Sequence, residues 1–239
     1  MSPDPFPLFM ESAVKTNLSF AYPTLAVILP VAVFLGFRQP PPEPASPDRV
    51  AAVMPAPLER ELRLVVAEDG NEVRYRVREQ LARIEFPSDA VGATTAVTGA
   101  LVIADDGSVV RDASRFVVDL TGLKSDSDRR DGYIQRRTLE TETYPNVEFA
   151  PTAITGLATP PQSMGDLTLT VVGDMTIHGT TKPVTWAVTA RTADGEYTGT
   201  AKTAFTFEDF GLTKPRVASV LSVVDTIRLE YDFRLVPQR

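Results

Sequence analysis

The sequence predicts an all-β protein of about eight to ten strands, a closed barrel or a sandwich, with one short helix and an apolar N-terminal helix ahead of it. Three observations carry that expectation. Leu167, Leu169, Val171, Met175 and Ile177 alternate with Thr168, Thr170, Asp174 and Thr176, the period-two pattern of a half-buried strand. Ile227, Leu229, Tyr231, Phe233 and Leu235 do the same near the C-terminus, against Thr226, Arg228, Glu230, Asp232 and Arg234. Turn-forming clusters separate the alternating runs, and many such strands must bury their apolar faces by closing on themselves or stacking.

Taken in order, the globular part begins near Glu61. Leu62 to Ala67 and Glu72 to Arg78 are short runs with Asp69-Gly70-Asn71 between them, which reads as a hairpin turn. In the second run Val73, Tyr75 and Val77 face one way and Arg74, Arg76 and Arg78 the other. A third strand is expected over Thr94 to Ile103, and a fourth over Val109 to Leu120 with Phe116, Val118 and Leu120 on its apolar face. From Asp128 to Leu139 the spacing turns helical, with Tyr133, Ile134 and Leu139 apolar and Arg129, Arg130, Arg136 and Arg137 basic. Val147 to Ala150 is a further strand. The hairpin over Asp166 to Trp186 follows, turning at His178-Gly179-Thr180-Thr181-Lys182-Pro183, with Val184, Trp186 and Val188 resuming the alternation. A run from Gly195 to Phe207 places Tyr197, Phe205 and Phe207 on one face.

The N-terminal sixty residues differ in kind. Leu18 to Phe37 is twenty residues without a charge, and as a helix it reaches about 30 Å, the thickness of a bilayer core. An uncleaved signal-anchor over residues 1–38 is expected, with a cleaved signal peptide as the alternative. Residues 39–60 are proline-rich, seven of them between Gln39 and Pro57, and read as an extended spacer. The β-domain would occupy residues 61–239 and stand on the outer side of the cytoplasmic membrane, periplasmic or secreted if the leader is cut.

Composition narrows the chemistry. The chain has 239 residues, net charge −7, one histidine and no cysteine. That excludes disulfides, thiolate nucleophiles, Cys-ligated metals and multi-histidine centres, and argues against a nucleic-acid partner. His178 stands in the hairpin turn, and Ser163, Ser219 and Ser222 lack the Gly-x-Ser-x-Gly setting of a hydrolase nucleophile. Asp126, Asp128 and Asp131 lack the order of a calcium loop. No catalytic residue, metal or cofactor is expected, and the arginines of the helix read as a solvated face or as contacts to an anionic lipid head group.

Several stretches together resemble the YceI-like family of bacterial polyisoprenoid-binding proteins. Arg129-Arg130-Asp131-Gly132-Tyr133-Ile134 followed by Tyr144-Pro145-Asn146-Val147-Glu148-Phe149 is similar to that family's helix and strand. Gly173 to Val184, GDMTIHGTTKPV, looks like its most specific hairpin, and Asp209-Phe210-Gly211 like its Asp-Phe-Gly stretch. The order agrees from about Val73 to Leu235. Where the family has an Asp-x-x-His-Ser-type pattern this chain has Arg78-Glu79-Gln80-Leu81, and Phe207 stands where relatives often carry an arginine.

The resemblance implies a lipocalin-like antiparallel β-barrel of about eight strands whose interior holds an isoprenoid lipid of quinone or polyprenyl type. An eight-stranded barrel is just wide enough for one small ligand. The residues implied to touch it are Tyr75, Val77, Phe116, Val118 and Phe149, then Leu169, Val171, Met175 and Trp186 on the hairpin, and Phe205, Leu229, Tyr231 and Phe233 beyond it. The protein would be a non-enzymatic carrier or store, tethered to the membrane by its N-terminal helix, with a homodimer left open. A tethered structural or adhesion β-domain with a packed core is the alternative; a hydrolase using His178 is a third reading.

Overall fold

In a computed structural model of the chain, residues 61–82, 85–158 and 164–238 are described. The expected N-terminal helix, the proline-rich spacer and Ser163 lie outside the described residues. Among the described residues no helix is long and apolar enough to cross a membrane.

Eleven strand segments build one sheet that closes on itself. They are β1 (Leu62–Val66), β2 (Glu72–Leu81), β3 (Ser88–Thr94), β4 (Val97–Ile103), β5 (Arg115–Asp119), β6 (Lys124–Ser125), β7 (Asn146–Thr155), β8 (Gly165–Ile177), β9 (Thr180–Ala193), β10 (Glu196–Thr206) and β11 (Val220–Pro237). Six of the segments combine into three long, interrupted staves. β1 and β2 both pair antiparallel with the same edge of β11, through Leu64↔Pro237 and Val66↔Leu235 and then Glu72↔Asp232 to Leu81↔Val220. β3 and β4 run on from one another against β2 and β1. β5 and β6 in turn lie against β4 and β3. Counted as staves the protein is an eight-stranded antiparallel barrel in which each stave neighbours the next in sequence and β11 closes the ring against β1 and β2. Closure pairs every described segment on both edges except the two-residue β6, which lies against β3 alone.

This corrects the hairpin expected at Asp69-Gly70-Asn71. Those residues form a bulged loop within one stave, not a reversal of direction. Asn71 makes the interruption tolerable. Its side chain, 7% exposed, donates to the carbonyls of Ala67 and Asp69 and accepts from the backbone N–H of Arg234 and the hydroxyl of Tyr231. Ladder groups that the bulge would leave unpaired are satisfied by one amide.

The hairpin of β8 and β9 is tighter than its sequence suggested. Pairing runs in unbroken register from Gly165↔Thr192 to Ile177↔Thr180, so the turn is His178-Gly179 alone. Both have positive φ, +51° and +73°, the two-residue type I′ geometry that matches strand twist. Leu167, Gly173, Met175 and Ile177 on β8, and Val184, Trp186, Val188 and Ala190 on β9, are buried as the alternation requires.

Among the described residues one α-helix lies at an end of the barrel, beside the mouth of the interior. α1 (Asp128–Tyr133) is capped by Ser127 Oγ, which accepts from the N–H of Arg130, and continues as a wider turn over Ile134–Thr138. Asp131, 5% exposed, accepts from Ser125 N and Oγ at 2.9 and 2.6 Å and so pins the helix to β6. Asp209-Phe210-Gly211 makes a corner after β10. Asp209 accepts from Thr206 N and Oγ1 at 2.7 and 2.8 Å, Phe210 is 1% exposed with its ring 4.7 Å from that of Phe205, and Gly211 supplies the left-handed residue at φ +64°.

Candidate ligand-binding site

The inward faces of the staves do not meet. They enclose a cavity of about 1290 Å³ running from Leu64, Leu101 and Ile103, where β1 meets β4, to Leu123, Leu139 and Val217 at the helix end. Protein cores hold few voids larger than a water molecule, so a space of this size inside one sheet is a chamber, not a packing defect. All thirteen residues expected inside the barrel lie on its wall: Tyr75, Val77, Phe116, Val118, Phe149, Leu169, Val171, Met175, Trp186, Phe205, Leu229, Tyr231 and Phe233. Edge-to-face ring pairs join them around the wall, Phe149 with Trp186 at 5.9 Å and Phe116 with Tyr231 at 6.5 Å.

Polarity is confined to a few places on this wall. Glu79 follows Tyr75 and Val77 on the inward face of β2 and receives Arg130 of the helix at 2.9 Å; the two side chains are 9% and 21% exposed. Burial works against the Arg130 charge, but Glu79 and Asp126 outweigh it and hold its pKa above the usual arginine value. The phenol of Tyr75 lies within the field of this cluster. Burial pushes it up to about 12, against the pull of Arg130, so it is a neutral hydroxyl at any physiological pH. Neither that hydroxyl nor Nε1 of Trp186 has a hydrogen-bond partner among the described residues, and both belong to wall residues. Tyr231 is different, since its hydroxyl is spent on Asn71 at 2.8 Å.

Glu79 and the inward turn of Arg130 were not singled out from sequence. Glu79 had a signal, because the alternation of β2 carried two residues past Val77 puts a carboxylate inside. Arg130 had none that separates it from Arg129, Arg136 and Arg137, which are exposed.

His178 lies outside the chamber wall. Its ring packs on Tyr144 at 4.4 Å and its Nε2 stands 3.4 Å from Glu140 Oε2, so it braces the turn against the segment after the helix. Asp126 meets Arg130, while Asp128 and Asp131 share Lys124 and Asp131 also accepts from Ser125.

A closed up-and-down barrel with an apolar chamber and a polar cluster at one end defines a lipocalin-like protein. Comparison with known proteins places it more closely. A family model described as the YceI-like domain matches residues 66–235, and the chain belongs to that family. A UPF0312 protein of Pseudomonas putida (strain F1) is 35% identical over 117 residues, covering 45% of this chain and 57% of the relative. One from Pseudomonas fluorescens (strain SBW25) is 31% identical over 137 residues, covering 54% and 65%. The chain thus aligns with less than two thirds of the length of these curated relatives. Among solved structures, a polyisoprenoid-binding domain from Saccharophagus degradans implicated in plant cell wall breakdown aligns at TM-score 0.57 and 14% identity, over 75% of this chain and all of that one. BcnA of Burkholderia cenocepacia aligns at TM-score 0.52 and 17% identity, over 71% and 98%. At these identities the likeness is one of fold.

Proposed function

We propose that the barrel binds one isoprenoid lipid, of quinone or polyprenyl type, and carries or stores it without chemical change. The observation behind this reading is the chamber: long, apolar, walled by aromatic and aliphatic side chains from every stave. The fold shared with the polyisoprenoid-binding domain of Saccharophagus degradans supports the same ligand class. At about 0.8 kcal/mol per buried CH₂, ten methylene-sized groups contribute about 8 kcal/mol before association costs. The tail lies along the wall from Leu229 and Phe233 to Val171 and Met175. The head group sits towards Tyr75, whose unpaired hydroxyl donates to one of its oxygens. The domain works on the outer side of the cytoplasmic membrane, held there through residues 1–38.

A structural or adhesion domain is the less favoured reading, because its strands need only pack against each other and an open chamber serves no such purpose. Mass spectrometry of an organic extract separates the two. Full-length protein purified gently from its native membranes should release one apolar isoprenoid species in near-equimolar amount. Repeated recovery of protein with no apolar molecule would overturn the lipid reading.

A further inference from the structure

All but one of the arginines on the described barrel strands meet a carboxylate; the exception, Arg63 of β1, donates to Gln238. Arg74, Arg76, Arg78, Arg115, Arg191 and Arg234 meet carboxylates on neighbouring strands, and Arg228 of β11 reaches across β2 to Asp89 of β3. The arginines without a carboxylate gather at the helix end: among the described residues Arg129, Arg136, Arg137 and Arg216 are exposed there and none has a carboxylate partner, against Arg63 and Arg111 at the opposite end. Arg129, Arg136 and Arg137 stand at the opening of the chamber, and Arg216 lines a shallow groove beside it with Pro215, Val220 and Leu221.

The same rim carries exposed apolar side chains. Four large ones stand out among the described residues, and three of them, Phe86 at 71%, Leu221 at 67% and Val224 at 49%, are at this end. Phe86 follows β2 in the loop to β3, and that loop abuts the start of β11 through Leu81↔Val220 and the bond from Ala82 N to Ser219 O at 3.0 Å. Leu221 and Val224 fall in the stretch of β11 whose register slips between Val220 and Ile227. The acids of this end are mostly occupied: Asp126, Asp128, Glu140 and Asp225 face Arg130, Lys124, His178 and Lys214. Glu142 and Glu208 lie on the segments beside the His178 turn, and Glu85 is the free carboxylate next to Phe86.

We propose that this rim is the face with which the barrel sits on an anionic lipid surface. Unpaired arginines around protruding apolar side chains, in a chain of net charge −7, complement a negatively charged leaflet and not an acidic or neutral bulk. Arginine stems can lie along the apolar rim while their guanidinium groups reach phosphate oxygens. The chamber opens within that rim, so a lipid tail passes between bilayer and barrel without crossing water. The proposal extends the lipid-binding reading, and its test is separate.

The absence of cysteine permits a single reporter. Full-length protein carrying Ser222→Cys at the rim, or Asp106→Cys in the loop after β4 at the opposite end, is labelled with an environment-sensitive fluorophore and added to vesicles. The vesicles are phosphatidylcholine alone or mixed with phosphatidylglycerol. The label at residue 222 should shift to the blue and brighten with anionic vesicles only, and the label at residue 106 should not respond. Replacing Arg129, Arg136, Arg137 and Arg216 by Gln should abolish the response while the thermal midpoint stays unchanged; Arg136→Glu with Arg137→Glu should do the same. Equal responses at both positions, an equal response to neutral vesicles, or an undiminished response in the arginine variants would each overturn the proposal. Lipid-loaded protein whose rim ignores anionic vesicles overturns docking alone, and ligand-free protein that docks overturns cargo binding alone.

Discussion

Tyr75 and Tyr231 sit on the same wall and look alike in sequence, yet their hydroxyls have opposite uses. That of Tyr231 supports the bulge through Asn71, whereas that of Tyr75 is buried against β3 without a partner. An unpaired buried hydroxyl is a burden to the empty fold and an asset to a bound one. Tyr75→Phe should therefore leave thermal stability equal or slightly higher while ligand retention falls about five- to tenfold, the worth of one hydrogen bond, as measured by competitive displacement. Gly92 is part of the same device, because a Cβ there would stand 2.3 Å from Tyr75 Cε1; only glycine lets the ring lie against β3. Asn71→Ala should cost about 3 kcal/mol in urea unfolding, since several ladder groups lose their partner at once. The thirteen wall residues were legible because alternation alone decides which side of a sheet a residue faces. The role of Asn71 was not. Asp-Gly-Asn is turn chemistry in a hairpin and in a bulge alike, and what distinguishes them is that both flanking segments pair with β11, some 160 residues away in the chain.

At the level of elements, the outer face of β2 against β11 is a ladder of charge. Arg74 reaches Glu72 and Asp232, Arg76 reaches Glu230 at 3.0 Å, and Asp89 of β3 is shared by Arg78 and Arg228. The hydrogen bond from Arg76, partly offset by burial, holds the Glu230 carboxyl below its usual range. A depressed folded pKa supplies stability above the unfolded value of about 4.3 and loses it as pH falls through the folded one. Urea midpoints should accordingly drop between about pH 5 and pH 3, and Glu230→Gln should lower the midpoint at neutral pH while flattening part of that drop. An unchanged profile in the variant would mean the ladder contributes little, as many exposed pairs do. The paired Arg and acid rows of β2 and β11 could be read from sequence, but not that they face each other. The short helix was also legible from its spacing, though its ordinary turns stop at Tyr133 and give way to a wider one.

For the molecule as a whole, the deciding property is that the interior is open. A filled core penalises enlargement by typically 1–3 kcal/mol, whereas a chamber accepts it. Val171→Trp should thus leave the unfolding free energy within about 1 kcal/mol of the parent and still displace the lipid, read by extraction and mass spectrometry. Loss of stability on that scale without loss of ligand would mean the wall has no room at Val171. The barrel and its wall followed from pattern and family likeness; its hollowness did not, because apolar side chains that meet across a core and those that stand apart around a cavity have the same alternation.

The seam that closes the ring joins β11 to β1 and β2, the last strand made to the first. During synthesis the sheet must wait with its apolar face open, and the outer edge of β1 and β2 unpaired, until β11 has left the ribosome. The barrel is therefore a clasp that shuts only once β11 is made, and a holdase that shields the open sheet until β11 arrives would act on this chain more than on one whose every strand edge is paired as it emerges. A pause placed ahead of β11 should raise its aggregation, and one placed after β11 should not.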